Sequence, residues 1–430
     1  MSRRRRPPYW LGTLLVIWLT GSPCGSFGQS KAALESEQGS DNRSSAESDP
    51  FRSDDLSFLE PTPRLLYGAS NLSQFLDRWR DLLTESNVVE LGPLHILHFG
   101  GSHVQAGRIG WAFRARLAAD RPGLRVSRGI LPPHRLVGEN GPPETGWACS
   151  SSWRGQRSAH RRHQGDWGLS GLEASSDSSA TLQTWSTQPS TAGCFSSVKV
   201  LTRPDTQGQW TLGGIDLPFT PGQNGIHEVR LDQQDLPDTV ALIPPAGKAY
   251  LQGVLLLHEQ PGLIYHDLGG NGASTSAWLR HPHFVTQLQD MQANLAILAW
   301  GINDAHMTPD RFKPQRFKDR YGALIDSLRL ACPQTDILLV TNNDSHYRHR
   351  HNPNAEAVRK AMLDLVEEKN VACWDLYGTL GGAHSIDRLY KTGHAASDRL
   401  HFNRDGYQLI GDLLYDALTQ AAFTLHPNSP

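Results

Sequence analysis

The fold is most readable in residues 94–107, LHILHFGGSHVQAG. The first half, 94–99, is a short apolar run closed by two glycines, which predicts a buried strand followed by a turn. Apolar residues then recur at helical spacing over 104–119. A buried strand that leads directly into a helix is typical of an α/β fold.

The same pattern returns later and extends the prediction to a full sheet. Short apolar runs closed by Gly, Asn or Asp occur at 263–265, 295–300, 337–341 and 371–374. Helical spacing separates the last three runs, near 311–331 and 355–369, and another helix is predicted from about 405 to 422. Strands that alternate with helices predict a parallel sheet covered by helices on both faces.

Residues 146–261 interrupt this alternation. They are rich in Ser, Thr, Gly and Trp, and their short alternating runs are separated by turn signals such as 221–225. We therefore expect a sandwich-like antiparallel β-domain inserted between two parts of the α/β domain, 58–145 and 262–430. Five tryptophans of the insert are candidates either for stacking on sugars or for its core: Trp147, Trp153, Trp167, Trp185 and Trp210.

Residues 1–28 have the pattern of a secretory signal peptide. Arginines at positions 3–6 precede an apolar run at 10–19, and Ser26-Phe27-Gly28 forms a small-x-small cleavage site. An uncleaved membrane anchor is the alternative, although the run is too short to span a bilayer. Residues 29–57 are predicted to be a disordered linker, because so polar a stretch cannot bury enough surface to offset its ordering entropy. We expect a secreted, periplasmic or envelope protein.

The overall composition excludes two classes of protein. The 430 residues contain 41 Lys and Arg against 43 Asp and Glu, and a balanced charge argues against a nucleic-acid partner. No long apolar run follows the N-terminal segment, so no integral membrane span is expected after signal cleavage. Export allows disulfides, and one pairing that keeps each bond within a predicted domain joins Cys149 to Cys194 and Cys332 to Cys373.

Ser102 is the best candidate for a nucleophile. It lies in the turn between a buried strand and a helix, where free N–H groups and the helix N-terminus stabilise negative charge. Open α/β sheets place their sites at the C-terminal ends of strands, which is this position. A serine after two glycines is also a common helix cap, so the position alone does not decide.

Asp398 and His401 supply a base and a carboxylate to orient it, which a nucleophilic serine needs. Two further loops fit an oxyanion hole. Residues 269–273, GGNGA, present a backbone N–H at Gly272, and residues 300–304, WGIND, present the amide of Asn303. Each of these signals alone is also ordinary turn chemistry.

Taken together and in order, these segments resemble the four blocks of the SGNH (GDSL-like) hydrolase superfamily. The blocks are Gly100-Gly101-Ser102, Gly272, Gly301-x-Asn303-Asp304 and Asp398-x-x-His401. Residues 98–107 are similar to the H-x-G-D-S-H-x-Q-A motif of a bacterial branch that includes peptidoglycan O-acetylesterase-like proteins. Residues 269–273 and 398–407 match that branch as well, and its members also carry a β-insert.

The resemblance implies a flavodoxin-like three-layer fold, and neither a metal nor an organic cofactor. It implies that Ser102 is the nucleophile, that His401 is the base and that Asp398 orients His401. The backbone N–H groups of Ser102 and Gly272 and the side chain of Asn303 would form the oxyanion hole. Two further residues are possible substrate contacts, with packing as the alternative: His103 and Gln105.

One position departs from the family pattern, because the Asp that precedes the nucleophile is Gly101 here. Its loss leaves the triad intact but could loosen the nucleophile turn. Two functions follow. The first is an exported serine esterase that removes O-acetyl groups from a glycan, peptidoglycan or another polysaccharide, through an acyl-enzyme; the same residues could instead transfer the acetyl group to another sugar. The second is a weakened relic that only binds glycans.

Two remaining signals are predicted to be structural. His346, His349 and His351 have a spacing that suggests metal binding, but Asp344 is the only acidic residue close to them in sequence, so a solvated loop is expected. Asp304, beside Asn303, is expected to be a turn or network residue.

Overall fold

The computed structural model describes residues 56–59, 66–84, 92–187, 195–217, 225–230 and 239–425. The predicted signal peptide, residues 1–28, and the predicted linker up to residue 55 lie outside these ranges. No helix in the described part of the chain is both long and apolar enough to cross a membrane.

A seven-stranded sheet forms the centre of the α/β part. Its strands, numbered in chain order, are β1 Leu66–Tyr67, β2 Pro93–Gly100, β3 Arg125–Ser127, β4 Gly262–Gly269, β5 Leu295–Ala299, β6 Asp336–Val340 and β7 Ala372–Trp374. The spatial order is β1-β7-β6-β5-β2-β4-β3. All neighbours are parallel except β1, which pairs antiparallel with β7. The predicted parallel sheet is therefore confirmed, with one antiparallel strand of two residues added at its edge.

Helices cover both faces of this sheet. The α-helices are α1 Ser73–Thr84, α2 Ser102–Gln105, α3 Arg108–Asp120, α4 Thr275–Trp278, α5 Phe284–Gln289, α6 Ile302–Ala305, α7 Pro314–Ala331, α8 Asn354–Lys369, α9 Leu376–Thr379, α10 Ser385–Lys391 and α11 Arg404–Thr424. Because successive strand residues point to opposite faces, Ile96 and Ile297 pack with α1, α3 and α11, whereas Leu97 and Leu298 pack with α5, α7 and α8. This confirms the three-layer α/β fold.

The helix predicted over 104–119 is two helices, α2 and α3. The break falls at Gly107, whose φ of 69° is left-handed. A Cβ atom at this position would lie 2.6 Å from Cβ of Pro142, so the backbone there approaches the segment that leads into the antiparallel part. The prediction of one helix was wrong because this break depends on a contact distant in sequence.

Three antiparallel sheets lie between the two halves of the α/β part. In spatial order, the five-stranded sheet contains Ile215–Asp216, Thr211–Leu212, Thr239–Ile243, Leu182–Ser186 and Thr145–Cys149. The four-stranded sheet contains Ile226–Arg230, Ser197–Leu201, Gly253–Leu257 and Ile130–Leu131. The three-stranded sheet contains Ala249–Leu251, Leu172–Ser176 and Arg154–Arg157. Their apolar faces share a core of their own, although residues 51–430 form one compact unit.

The tryptophans of this region divide into two groups. Trp147, Trp167 and Trp210 are buried, so packing accounts for them. Trp153 and Trp185 are half-buried and line a surface cavity, which leaves the sugar-stacking prediction open for these two alone.

A buried charge network joins the antiparallel part to the central sheet. Arg128, just after β3, lies 2.7 Å from Glu144 and 3.1 Å from Asp267 of β4, and Arg114 of α3 lies 3.3 Å from Asp267. Burial raises the pKa of Asp267, and the two arginines oppose that shift. Removing one member would leave an unbalanced buried charge, and breaking a buried ion pair in this way typically costs about 3–5 kcal/mol.

The predicted disulfide between Cys332 and Cys373 is wrong. Both cysteines are free, and Cys373 is fully buried in β7, where desolvation raises the pKa of its thiol well above the usual value. Cys149 is also free, whereas its predicted partner, Cys194, lies outside the described residues.

Candidate active site

The register of the central sheet brings three loops to one place. Gly100, the last residue of β2, pairs with Gly269 of β4 on one side and with Ala299 of β5 on the other. The three strands therefore end side by side. The loops that follow them carry the residues predicted for the nucleophile and the oxyanion hole, and they meet where the chain order reverses across β2, the usual place for a site in an open α/β sheet.

Ser102 is the first residue of α2, and its hydroxyl faces the loop that precedes α11. Its Oγ lies 2.9 Å from Nε2 of His401. Nδ1 of the same ring lies 2.8 Å from Oδ2 of Asp398. An ionised carboxylate can only accept, so Nδ1 carries the proton and Nε2 is left to accept from the serine. The structure thus brings the predicted nucleophile, base and orienting carboxylate into one hydrogen-bonded chain.

Asp398 is held in its charged form by the loop around it. Partial burial favours the neutral acid, but the His401 side chain and the backbone N–H groups of His401 and Leu400 donate to the carboxylate and together lower the pKa of Asp398. The side chains of Asp398 and His401 are 50% and 35% exposed, so an ester dissolved in water can reach this end of the site.

Asn303 lies beside the nucleophile in α6. Its Nδ2 donates to the carbonyl oxygen of Ala273 at 2.9 Å, which uses one of the two amide protons. This hydrogen bond joins the two loops of the predicted oxyanion hole. Gly272 precedes Ala273, and the space around its α-carbon is open.

The position of Gly101 shows how the turn holds without an aspartate. Its φ of −92° lies outside the left-handed region that favours glycine. A Cβ atom there would, however, lie 2.5 Å from Nδ2 of Asn303. The space that a side chain would take is filled by the Asn303 amide. The turn itself continues from β2, which is paired on both sides, so the missing carboxylate does not leave it unsupported.

His103 and Gln105 both have partners within the protein. Nδ1 of His103 lies 2.9 Å from the hydroxyl of Tyr407, and its ring packs against those of His401 and Phe402. Burial, and then the neighbouring His401, lower the pKa of His103 to about 3, so the ring is neutral. Gln105 is buried and donates to the carbonyl oxygen of Asn140. These contacts favour packing over substrate binding, although a role in binding stays a prediction.

Two supporting contacts were missed or only partly foreseen from the sequence. Asp304 accepts from the hydroxyl of Thr275 at 2.7 Å and from its backbone N–H at 3.1 Å, which ties α6 to the start of α4, just after the 269–273 loop. Asn343, in the loop after β6, donates to the carbonyl of Leu400 beside His401. Asp304 was predicted to be a network residue, but no sequence signal pointed to Asn343.

Comparison with known proteins gives one family match and several structures of similar fold. Residues 246–409 match the family model of the GDSL-like lipase/acylhydrolase family. A solved structure of a peptidoglycan O-acetylesterase superposes with a TM-score of 0.71 at 19% identity, covering 83% of this chain and 99% of that one. A lipase/acylhydrolase from Enterococcus faecalis (TM-score 0.29, 19% identity) covers 38% of this chain and 77% of its own. No curated protein matches the sequence.

The peptidoglycan O-acetylesterase structure establishes the fold alone, because its identity to this chain is only 19%. The family match falls on the second half of the α/β part and includes the Asn303 and His401 loops. Residues 246–409 therefore resemble the GDSL-like lipase/acylhydrolase family, the chain shares the fold of a peptidoglycan O-acetylesterase, and both findings support an ester hydrolase.

Proposed function

We propose that this protein is an exported serine esterase that removes O-acetyl groups from a glycan. The observation that carries the proposal is the continuous chain from Asp398 through His401 to Ser102, at 2.8 and 2.9 Å, next to the amide of Asn303. A relic that only binds glycans has no need to keep this geometry. Ser102, His401 and Asp398 are assigned as nucleophile, base and orienting residue.

The first half of the reaction transfers the acetyl group to the enzyme. His401 Nε2 takes the proton of Ser102 as Oγ attacks the ester carbonyl, and Asp398 stabilises the imidazolium that forms. The carbonyl oxygen becomes negatively charged and accepts hydrogen bonds from Asn303 and from the N–H groups of Ser102 and Gly272. The bond from the carbonyl carbon to the sugar oxygen then breaks, and His401 returns its proton to that oxygen.

The second half releases acetate. A water molecule gives a proton to His401 and attacks the acetyl-serine, and the bond to Ser102 Oγ breaks as the serine regains its proton. The exposed side of His401 gives water this access. Transfer to a second sugar hydroxyl would use the same groups, so the choice between hydrolysis and transfer depends on the acceptor present.

The glycan is proposed to be cell-wall peptidoglycan or another acetylated polysaccharide outside the cytoplasm. Support comes from the N-terminal signal pattern and from the peptidoglycan O-acetylesterase that shares the fold. The antiparallel part, predicted as a domain over 146–261, would help to hold the polysaccharide.

Acetate release tests the proposal. Purified protein is incubated with O-acetylated peptidoglycan and with acetylated xylan, and free acetate is measured for the wild type and Ser102→Ala. We expect release by the wild type and at least about a thousandfold less by the variant. Equal release by the two proteins, or none from any acetylated glycan, would contradict the proposal.

A further inference from the structure

A cavity of about 500 Å³ lies beside the candidate active site and has no part in the reaction described above. One wall is the loop at 307–309. The other is a hairpin that contains the strands His346–Tyr347 and Arg350–His351, joined by a turn of two residues. The histidine-rich stretch predicted to be a solvated loop is thus an ordered hairpin. Arg348 and Arg350 line the cavity, and both side chains are exposed.

Both walls connect directly to the candidate site. Met307 follows Asn303 by four residues, and the side chain of Asn354 fixes this stretch by donating to the carbonyls of Ala305 and Met307 at 3.0 and 2.8 Å. On the hairpin side, the backbone N–H of His346 donates at 2.8 Å to the carbonyl of Arg399, which precedes His401 by two residues. A sugar whose ester lies at Ser102 therefore has its neighbours within reach of the cavity.

The lining of the cavity contains two arginines and no carboxylate. Arg348 and Arg350 form no ion pair with a carboxylate among the described residues. The nearby carboxylates are already engaged: Asp344 with His351 at 2.9 Å, and Asp387 with His346 at 3.2 Å and with Arg399 at 3.3 Å. Two guanidinium groups with free donors are suited to a carboxylate, which they bind through paired hydrogen bonds.

The turn between the two strands contains an arginine and a histidine, although its backbone conformation favours other residue types. Arg348 and His349 have φ angles of 52° and 63°, and a two-residue turn of this kind favours Asn and Gly. Strained residues of this kind cluster at functional sites. Here the strain places an arginine at the rim of the cavity.

We propose that this cavity is a subsite for the carboxylate of an acidic sugar adjoining the acetylated one. The inference rests on the proposed function and narrows its substrate to an anionic glycan. The carboxylate could belong to the lactyl group of a muramic acid that carries no stem peptide or to a uronic acid, since both present the same planar anion.

Measuring the binding of disaccharides tests the proposed carboxylate subsite without requiring turnover. Isothermal titration calorimetry compares three disaccharides: N-acetylglucosaminyl-N-acetylmuramic acid, its neutral counterpart chitobiose, and digalacturonic acid. We expect at least one acidic sugar to bind about 10- to 100-fold more tightly than chitobiose, the effect of a charge-assisted hydrogen-bond pair, and to lose affinity as NaCl is raised. Which acidic sugar binds identifies the source of the carboxylate.

Matched variants locate the effect. Arg348→Gln/Arg350→Gln should remove the preference for the acidic sugar, whereas Arg316→Gln/Lys360→Gln, which removes the same charge from two exposed positions outside the cavity and the antiparallel part, should keep it. Should the first variant melt early, Arg348→Lys/Arg350→Lys replaces it and should retain a salt-dependent part of the preference. Equal affinity for acidic and neutral sugars, no binding of any, or equal losses in both double variants would overturn the subsite. Acetate release is measured separately, so failure of the esterase assay and failure of the subsite are distinguishable.

Discussion

At the scale of single residues, the absence of a side chain at Gly101 is coupled to the position of Asn303. The Asn303 amide fills the space beside Gly101 and is held there by the carbonyl of Ala273. An added methyl group would displace the amide from its place in the proposed oxyanion hole. The departure from the family pattern is therefore matched by a compensating contact, which sequence comparison at one position does not reveal.

This coupling gives a quantitative prediction. Asn303→Ala should lower turnover by about 10²–10³ with little change in substrate affinity, because the amide acts mainly on developing charge. Gly101→Ala should lower turnover at least about tenfold, and the double variant should be no worse than Asn303→Ala alone, since both act on one group. Gly270→Ala is the matched control, because a Cβ there meets only ordinary contacts at 3.5 Å or more. Fully additive losses would show that Gly101 acts independently of Asn303.

At the scale of elements, the break between α2 and α3 keeps α2 short. The first helix carries Ser102 and the second packs against α11, which follows the His401 loop. The break has a left-handed glycine in close contact with Pro142 and Arg128. It therefore joins the nucleophile turn to the segment that enters the antiparallel part.

Comparing alanine variants of two left-handed glycines separates the cost of the backbone conformation from the cost of a steric clash. Gly138→Ala, at φ 74° with nothing within 4 Å, should cost about 1–2 kcal/mol for the left-handed backbone. Gly107→Ala, at φ 69°, adds contacts of 2.6 Å with Pro142 and 2.7 Å with Arg128, and should cost about 1–3 kcal/mol more from overpacking. Urea unfolding of both variants measures the difference. Equal losses would mean that the Pro142 contact relaxes freely.

The strands of the central sheet could be predicted because each appears in the sequence as one short apolar run. The helix break was not, because the conformation of Gly107 depends on Pro142, 35 positions away. The candidate site likewise has one part that the sequence predicts and another that depends on contacts between distant residues. The order of the blocks predicted that Ser102, Asn303 and His401 would meet, since parallel strands end at one edge. The contact between Asn303 and Gly101 and the support from Asn343 needed the three-dimensional register.

At the scale of the whole molecule, buried neutral histidines make the fold sensitive to acid. Burial lowers the pKa to about 3 or 4 for a set spread over both parts of the structure: His98, His227, His258 and His281. The unfolded chain binds protons at these positions below a pKa of 6.5, whereas the folded chain does not until the pH reaches the lowered value. The contribution of these histidines to the free energy of unfolding is therefore complete above pH 6.5 and is lost as the pH falls from there toward 4.

Thermal melts across this window test the argument. The melting temperature should fall steadily between pH 6.5 and 4, with each such histidine contributing up to about 1.4 kcal/mol per pH unit. His281→Phe, which places another ring among Trp167, Trp278 and Phe284, should make the fall less steep. His349→Gln, at an exposed position, should not change it. A melting temperature independent of pH in the wild type would contradict the claim that these buried histidines are neutral in the folded protein.

The most direct test of the central claim is site mapping of a serine-reactive fluorophosphonate by intact-mass and peptide mass spectrometry. If Asp398, His401 and Ser102 work as a triad, the wild type gains one adduct and the modified peptide carries it at Ser102. His401→Ala should remain unlabelled under the same conditions, because the serine then has no base. An adduct on any other serine, or a wild type that stays unmodified while remaining folded, would contradict the account.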